Sequence, residues 1–206
     1  MCVVQLSLST SAMNPLNSTL FRPSGHLGMA SWAYTPTYRG FLTHFGFYNG
    51  ATDYWAHTHP ESSPSSPLDM HWGNAPDIPA SPVTDRNGSL TKNVSDYGAF
   101  LFARQTNAVI DAHIGRASSS PLFLYLTHQS VHEPLQAPAE YVAKFPHVAD
   151  ANRRIFCGML AALDDAVNDV TSHMEALSMW DNTLFVFHAD VRATKLSQRR
   201  QMTVFG

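Results

Sequence analysis

Eleven histidines and only two cysteines stand among the 206 residues, so near-neutral chemistry in this chain falls mainly to imidazoles. His57-Thr58-His59 puts two of them on one face of an extended segment, which suits a metal pair. No third ligand follows at a telling spacing, and a solvated loop is the expected setting. Asp164-Asp165 offers adjacent carboxylates, but neighbouring helical positions diverge by ~100°, so at most one faces inward and an exposed face is expected. Cys2 and Cys157 lie far apart with no Cys-x-x-Cys knuckle, and Cys157 falls in an apolar helical pattern that fits a buried free thiol. His132 and Asp190 stand apart from these, because each closely follows a strand-like run.

The elements that must position them are legible. Pro121-Leu-Phe-Leu-Tyr-Leu-Thr127 is a short continuous apolar run after a Ser-rich turn, as in a strand covered on both faces of a parallel sheet. Ile155, Met159, Leu163, Val167, Val170, Met174 and Leu177 recur by fours and threes, predicting a long amphipathic helix from Ala151 to Trp180 with Asp150 as N-cap. Thr183-Leu-Phe-Val-Phe-His188 is a second buried strand, entered by an Asp181-Asn182 turn. Phe100, Ala103, Val109, Ile110 and Ile114 predict an earlier helix that stops at Gly115. Strand, helix, strand is a βαβ unit. Its strands deliver their carboxyl ends to one sheet edge, so His132 and Asp190 share a rim.

Residues 1–24 read as irregular, rich in Ser, Thr, Asn and Pro. The aromatic-dense stretch 29–60 packs as ordered loop and short elements, and is core more readily than a sugar platform. Residues 61–94 collect prolines and polar residues and read as a surface excursion. A net charge of -3 argues against a nucleic-acid partner and an anionic membrane surface. No run reaches the ~20 apolar residues of a membrane span. The only basic run, Arg192, Lys195, Arg199 and Arg200, reads as a solvated tail. Asn17, Asn87 and Asn93 head glycosylation triplets, which suit a secretory-pathway protein, although Met1 to Thr19 has no signal-peptide pattern.

Several segments resemble the sulfatase family, specifically its arylsulfatase B branch. Pro121-Leu-Phe-Leu-Tyr-Leu-Thr-His-Gln-Ser-Val-His-Glu-Pro-Leu-Gln-Ala-Pro138 carries the most specific match, a strand running into a Val-His-Glu-Pro loop. Gly25-His26-Leu27-Gly28-Met29 is similar to the end of a Gly-Lys-Trp-His-Leu-Gly motif. Pro36 to Phe41, His44 to Phe47, Asp53-Tyr54-Trp55, Cys157 to Val167 and Trp180 to Phe187 follow in the family's order. The resemblance implies an α/β fold with an alkaline phosphatase/sulfatase-like parallel-sheet core, here incomplete. It divides the chain into an unrelated 1–24 segment, a partial sulfatase domain over 25–190 with 61–94 divergent, and a divergent basic tail over 191–206.

The resemblance implies sulfuric ester hydrolysis of an aryl sulfate or sulfated carbohydrate, with bound calcium and a formylglycine nucleophile made from the Cys of Cys-x-Pro-Ser-Arg. By the same token, His26 assists the formylglycine hydroxyls, His132 contacts sulfate and serves the leaving group, and Asp190 is a calcium ligand. It also implies a lysosomal or secreted location. The chain departs from the pattern in four places. It has no Cys-x-Pro-Ser-Arg, and it lacks the paired N-terminal aspartates. Pro23, Ser24 and Gly25 replace the Lys and Trp of the histidine motif, and Val191-Arg192-Ala193 replaces Asn-Gly-Gly after Asp190. The expectation is a truncated, inactive sulfatase chain; the alternative is a non-catalytic sulfatase-like protein that binds sulfated glycan or a partner. So few strands predict exposed apolar edges and poor solubility.

Overall fold

A computed structural model describes residues 2–8, 17–22, 31–58, 68–74, 96–115 and 121–189, with the backbone alone for the first two stretches. The described residues form a six-stranded sheet in the order β4-β3-β2-β5-β1-β6. The strands are β1 (Cys2–Leu8), β2 (Asn17–Arg22), β3 (Thr43–Gly46), β4 (His71–Asn74), β5 (Leu122–His128) and β6 (Thr183–Ala189). Among the described residues three α-helices accompany them: α1 (Gly98–Gly115), the single turn α2 (Ala139–Val142) and α3 (Ala151–Ala176).

β2 pairs in parallel with both β3 and β5. β1 lies antiparallel between β5 and β6, so those two run the same way, and β4 is antiparallel to β3. The α/β class stands, with a mixed sheet rather than a wholly parallel one.

Three expectations are corrected. The Thr183–His188 strand is an edge of the sheet with Leu184 and Phe187 exposed rather than a buried strand, because nothing among the described residues pairs with its outer side. Residues 1–24 supply two strands. The signal was present: Val4, Leu6 and Leu8 alternate with Gln5 and Ser7, the period-2 pattern of a strand with one face covered. Residues 61–94 are not wholly a surface excursion either. Asp69 and Met70 are buried and β4 pairs with β3, because the core has room for Met70 and hydrogen bonds for Asp69.

Helix α3 forms where the apolar periodicity placed it, and the Asp150 carboxylate accepts from the Arg153 amide at 2.7 Å to cap it. Met159, Ala162, Leu163, Ala166, Val170 and Met174 are its buried stripe. That stripe packs on α1, which lies in turn on β5. Leu122, Leu124 and Leu126 alternate along β5 and enter the same core as Phe45, Phe47, Phe102 and Ile110. On the other face of β5, Phe123 meets Phe41 at 6.2 Å between ring centroids. Cys157 flanks the α3 stripe and is a half-buried free thiol. Asp164 and Asp165 are both exposed, and Tyr141 donates to Asp165 at 2.6 Å.

Candidate active site

The strand directions build a single rim. β2, β3, β5 and β6 all end on it, at Arg22, Gly46, His128 and Ala189. Cys2 pairs with both His128 and Ala189, so the ends of β5 and β6 stand two strand spacings apart, about 10 Å. His26 follows Arg22 by four positions and Asp190 follows Ala189 directly; both lie outside the described residues, as do Asn87 and Asn93. Asn17 opens β2. Of the expected site residues, His132 is the one whose side chain is described.

β5 delivers it. Thr127, His128, Gln129 and Ser130 are buried, the chain then turns, and His132 and Glu133 emerge exposed. The peptides before Val131 and Pro134 are cis. The His132 amide donates to the Gln129 carbonyl at 2.9 Å, and the His132 carbonyl accepts from the Tyr54 hydroxyl at 3.0 Å. His132 Nδ1 lies 2.8 Å from the Glu133 carbonyl. A carbonyl can only accept, so Nδ1 carries the proton, and Nε2 is the basic nitrogen of the neutral ring.

Behind this loop sits a set of contacts from the Asp53-Tyr54-Trp55 segment, which the sequence placed in order but without a role. The Gln136 side chain accepts from the Tyr54 amide at 2.8 Å and donates to Asp53 at 2.5 Å, while the Gln136 backbone carbonyl accepts from the Tyr97 hydroxyl at 3.0 Å. Tyr54 and Tyr97 stack at 5.2 Å. Burial, with Tyr97 beside it, pushes the Tyr54 hydroxyl well above its ordinary range, so it remains a donor. The Gln129 amide donates to the Thr52 carbonyl from the same side. No motif spacing advertises Gln136 or Gln129; only the folded backbone brings them to residues 52–54.

His57 departs from its expected setting. It is buried, its amide donates to the Asp53 carbonyl at 3.0 Å, and Nε2 lies 3.1 Å from the Asp96 carbonyl. Burial lowers its pKa from the ordinary value, so it is a neutral structural ring.

Two buried or half-buried carboxylates approach the rim, and both are occupied by N–H donors. Asp53 accepts from the Trp55 and Ala56 amides at 2.8 and 2.6 Å in addition to Gln136. Burial would raise its pKa, but the Ala56, Gln136 and Trp55 hydrogen bonds outweigh burial and hold it below its ordinary value. Asp69 accepts from the Tyr48 and Asn49 amides at 3.0 Å each, the Asn49 side chain at 2.7 Å and His71 Nε2 at 2.8 Å. Its pKa is lowered in the same way against burial. Carboxylates so engaged have few lone pairs left for a hard cation. Among the described residues no three His, Cys, Asp or Glu side chains converge to hold a metal ion. Nor is any helix among them long and apolar enough to cross a membrane.

Comparison with known proteins bears on the fold and the family. The sequence is 28% identical over 165 residues to Arylsulfatase J of Mus musculus, covering 80% of this chain and 25% of that protein. The chain thus spans about a quarter of the length of that relative. Its fold is similar to the crystal structure of Ps i-CgsB in complex with k-i-k-neocarrahexaose, at a TM-score of 0.62 and 21% identity, over 82% of this chain and 36% of that one. The crystal structure of Ps i-CgsB without that ligand gives a TM-score of 0.61 at 22% identity, over the same shares. The profile of the Sulfatase family, whose members generally bind a divalent metal, matches residues 19–191. That match takes in β3 to β6, both long helices and the His132 loop, and the chain belongs to the sulfatase family.

Proposed function

We propose that the chain forms the sulfate-facing histidine edge of an arylsulfatase B-like site, with His132 as the group that meets the sulfate ester. The observation that carries this reading is the state of the His132 ring. Its backbone and Nδ1 are committed to hydrogen bonds, while Nε2 has no partner among the described residues and the side chain is exposed at the strand-end rim. In the neutral ring, Nε2 accepts a proton. In the charged ring, it donates N–H to a sulfate oxygen or to a departing alkoxide. The substrate class in this reading is an aryl sulfate or a sulfated carbohydrate. His26 enters as a second imidazole beyond β2, and Asp190 as one carboxylate of a calcium site. The three sequons and the resemblance favour a lysosomal or secreted setting.

The 206 residues contain no Cys-x-Pro-Ser-Arg, so the reading includes binding without turnover by this chain. With 13 Lys and Arg against 16 Asp and Glu, a broad sulfated-polymer surface is disfavoured, and recognition centres on one ester. Histidine-resolved NMR during titration with an aryl sulfate tests this. The His132 ring signals should shift saturably, and no sulfate release should accompany the shift. Absence of any His132 response refutes the site. Hydrolysis that disappears in His132→Ala refutes the inactivity.

A further inference from the structure

We infer that Tyr54 is a positioning residue for His132, holding it through one hydroxyl, and that Gln136 locks Tyr54 in turn; the inference rests on reading His132 as the sulfate-side group. An exposed side chain on a turn samples several rotamers unless its backbone is held. His132 is held at three points, and two of them come from its own loop, the Gln129 and Glu133 carbonyls. The third, from Tyr54, ties the loop to a segment 78 residues away in sequence.

The Tyr54 hydroxyl is itself fixed by packing. Its ring is fully buried and lies against Tyr97 with 15° between the ring planes. Its amide is bound by the Gln136 side chain, whose other end is bound to Asp53, and the Gln136 backbone carbonyl accepts from the Tyr97 hydroxyl. The circuit closes on itself, running from His132 to Tyr54, to Gln136, to Tyr97 and back to the Tyr54 ring. Releasing the His132 carbonyl frees the backbone torsion between His132 and Glu133. The Glu133 carbonyl that holds Nδ1 then moves with it. The ring loses its reason to keep the proton on Nδ1, and in the other tautomer Nε2 is no longer a base. Tyr54 thus sets which nitrogen faces the ester without touching the ester.

Ring ¹⁵N–¹H correlation spectra of the full chain test this through the His132 tautomer, which requires no turnover. Wild type should show Nδ1–H, whereas Tyr54→Phe, which keeps the stacked ring and removes only the hydroxyl, should raise the Nε2–H fraction severalfold. Thr106→Val removes a buried hydroxyl bond of 2.8 Å within α1 and serves as the control for general destabilisation. It should leave the tautomer unchanged. If Tyr54→Phe does not fold, Gln136→Met, which frees the Tyr54 amide, should move the tautomer in the same direction. A wild-type tautomer in the Tyr54 or Gln136 variant overturns the inference, as does an equal shift in Thr106→Val. Inorganic sulfate added to wild type separates the two readings. A His132 response supports the sulfate-side role. No response refutes that role, while the tautomer comparison still decides whether Tyr54 positions the ring.

Discussion

His128 ends β5 fully buried, and neither ring nitrogen meets a partner among the described residues. Burial lowers its pKa from 6.5 to about 4. The unfolded chain therefore takes up this proton at a higher pH than the folded one, and stability falls as pH drops from 6.5 to 4. Across that window the loss amounts to about 3 kcal/mol, at ~1.4 kcal/mol for each tenfold rise in proton concentration. Burial depresses His57 too, so it contributes with the same sign. In urea melts of His128→Leu, most of this acid sensitivity should vanish, and stability at pH 7 should equal or exceed that of wild type, because a buried imidazole without partners is replaced by an apolar side chain. An unchanged difference between pH 7 and pH 4.5 would refute this account. From the sequence, His128 is one more residue of the strand-to-loop run. Its burial follows from the β5 alternation that puts Leu122, Leu124 and Leu126 in the core, whereas its lack of partners depends on what the fold brings beside it.

Among the elements, α3 and α2 meet where α3 has no side chain. A Cβ built on Gly158 stands 3.0 Å from the Val142 amide nitrogen and 3.2 Å from its Cα. Alanine in a helix interior gains about 1 kcal/mol over glycine. Here that gain opposes an overpacking cost of about 1–3 kcal/mol, and the obstructing atoms are backbone, which yields least. Gly158→Ala should thus destabilise by about 1 kcal/mol and lower Tm by about 2–4 °C in a chain of this size. A raised Tm would show that α2 gives way freely. The periodicity of α3 was readable because burial along one stripe enforces it. The contact of Gly158 with α2 was not, since an isolated glycine in a helical pattern carries no mark of the element it faces.

At the scale of the whole molecule, β6 is an edge strand, and among the described residues nothing pairs with its outer side. Leu184 is 63% exposed and Phe187 54%, which places apolar side chains beside open backbone hydrogen-bonding groups. Such an edge is a template for pairing with another chain. Light scattering should therefore show association that grows with protein concentration. Placing Lys at both 184 and 187 should restore a monomer without changing the far-UV circular dichroism. A wild-type chain that stays monomeric at high concentration would contradict this. The expectation of few strands is corrected by the six that form the sheet, and among the described residues the exposed apolar edge is confined to β6.

Local pattern was enough to place α1, α3, β5 and β6 along the chain, and strand direction to bring the ends of β5 and β6 to one edge. Those conclusions depend on apolar spacing and on the parallel geometry of a crossover, both of which are properties of the chain read in order. The contacts that hold His132 are of another kind. Tyr54, Gln136, Tyr97 and Gln129 are spread over 83 positions and meet only because the sheet order brings the β3–β4 connection against the β5 loop. Hydrogen bonds between residues so distant in sequence leave no periodic trace. The burial of His57 and Asp69 was likewise decided by tertiary packing, because a polar side chain enters a core only where the fold supplies its hydrogen-bond partners.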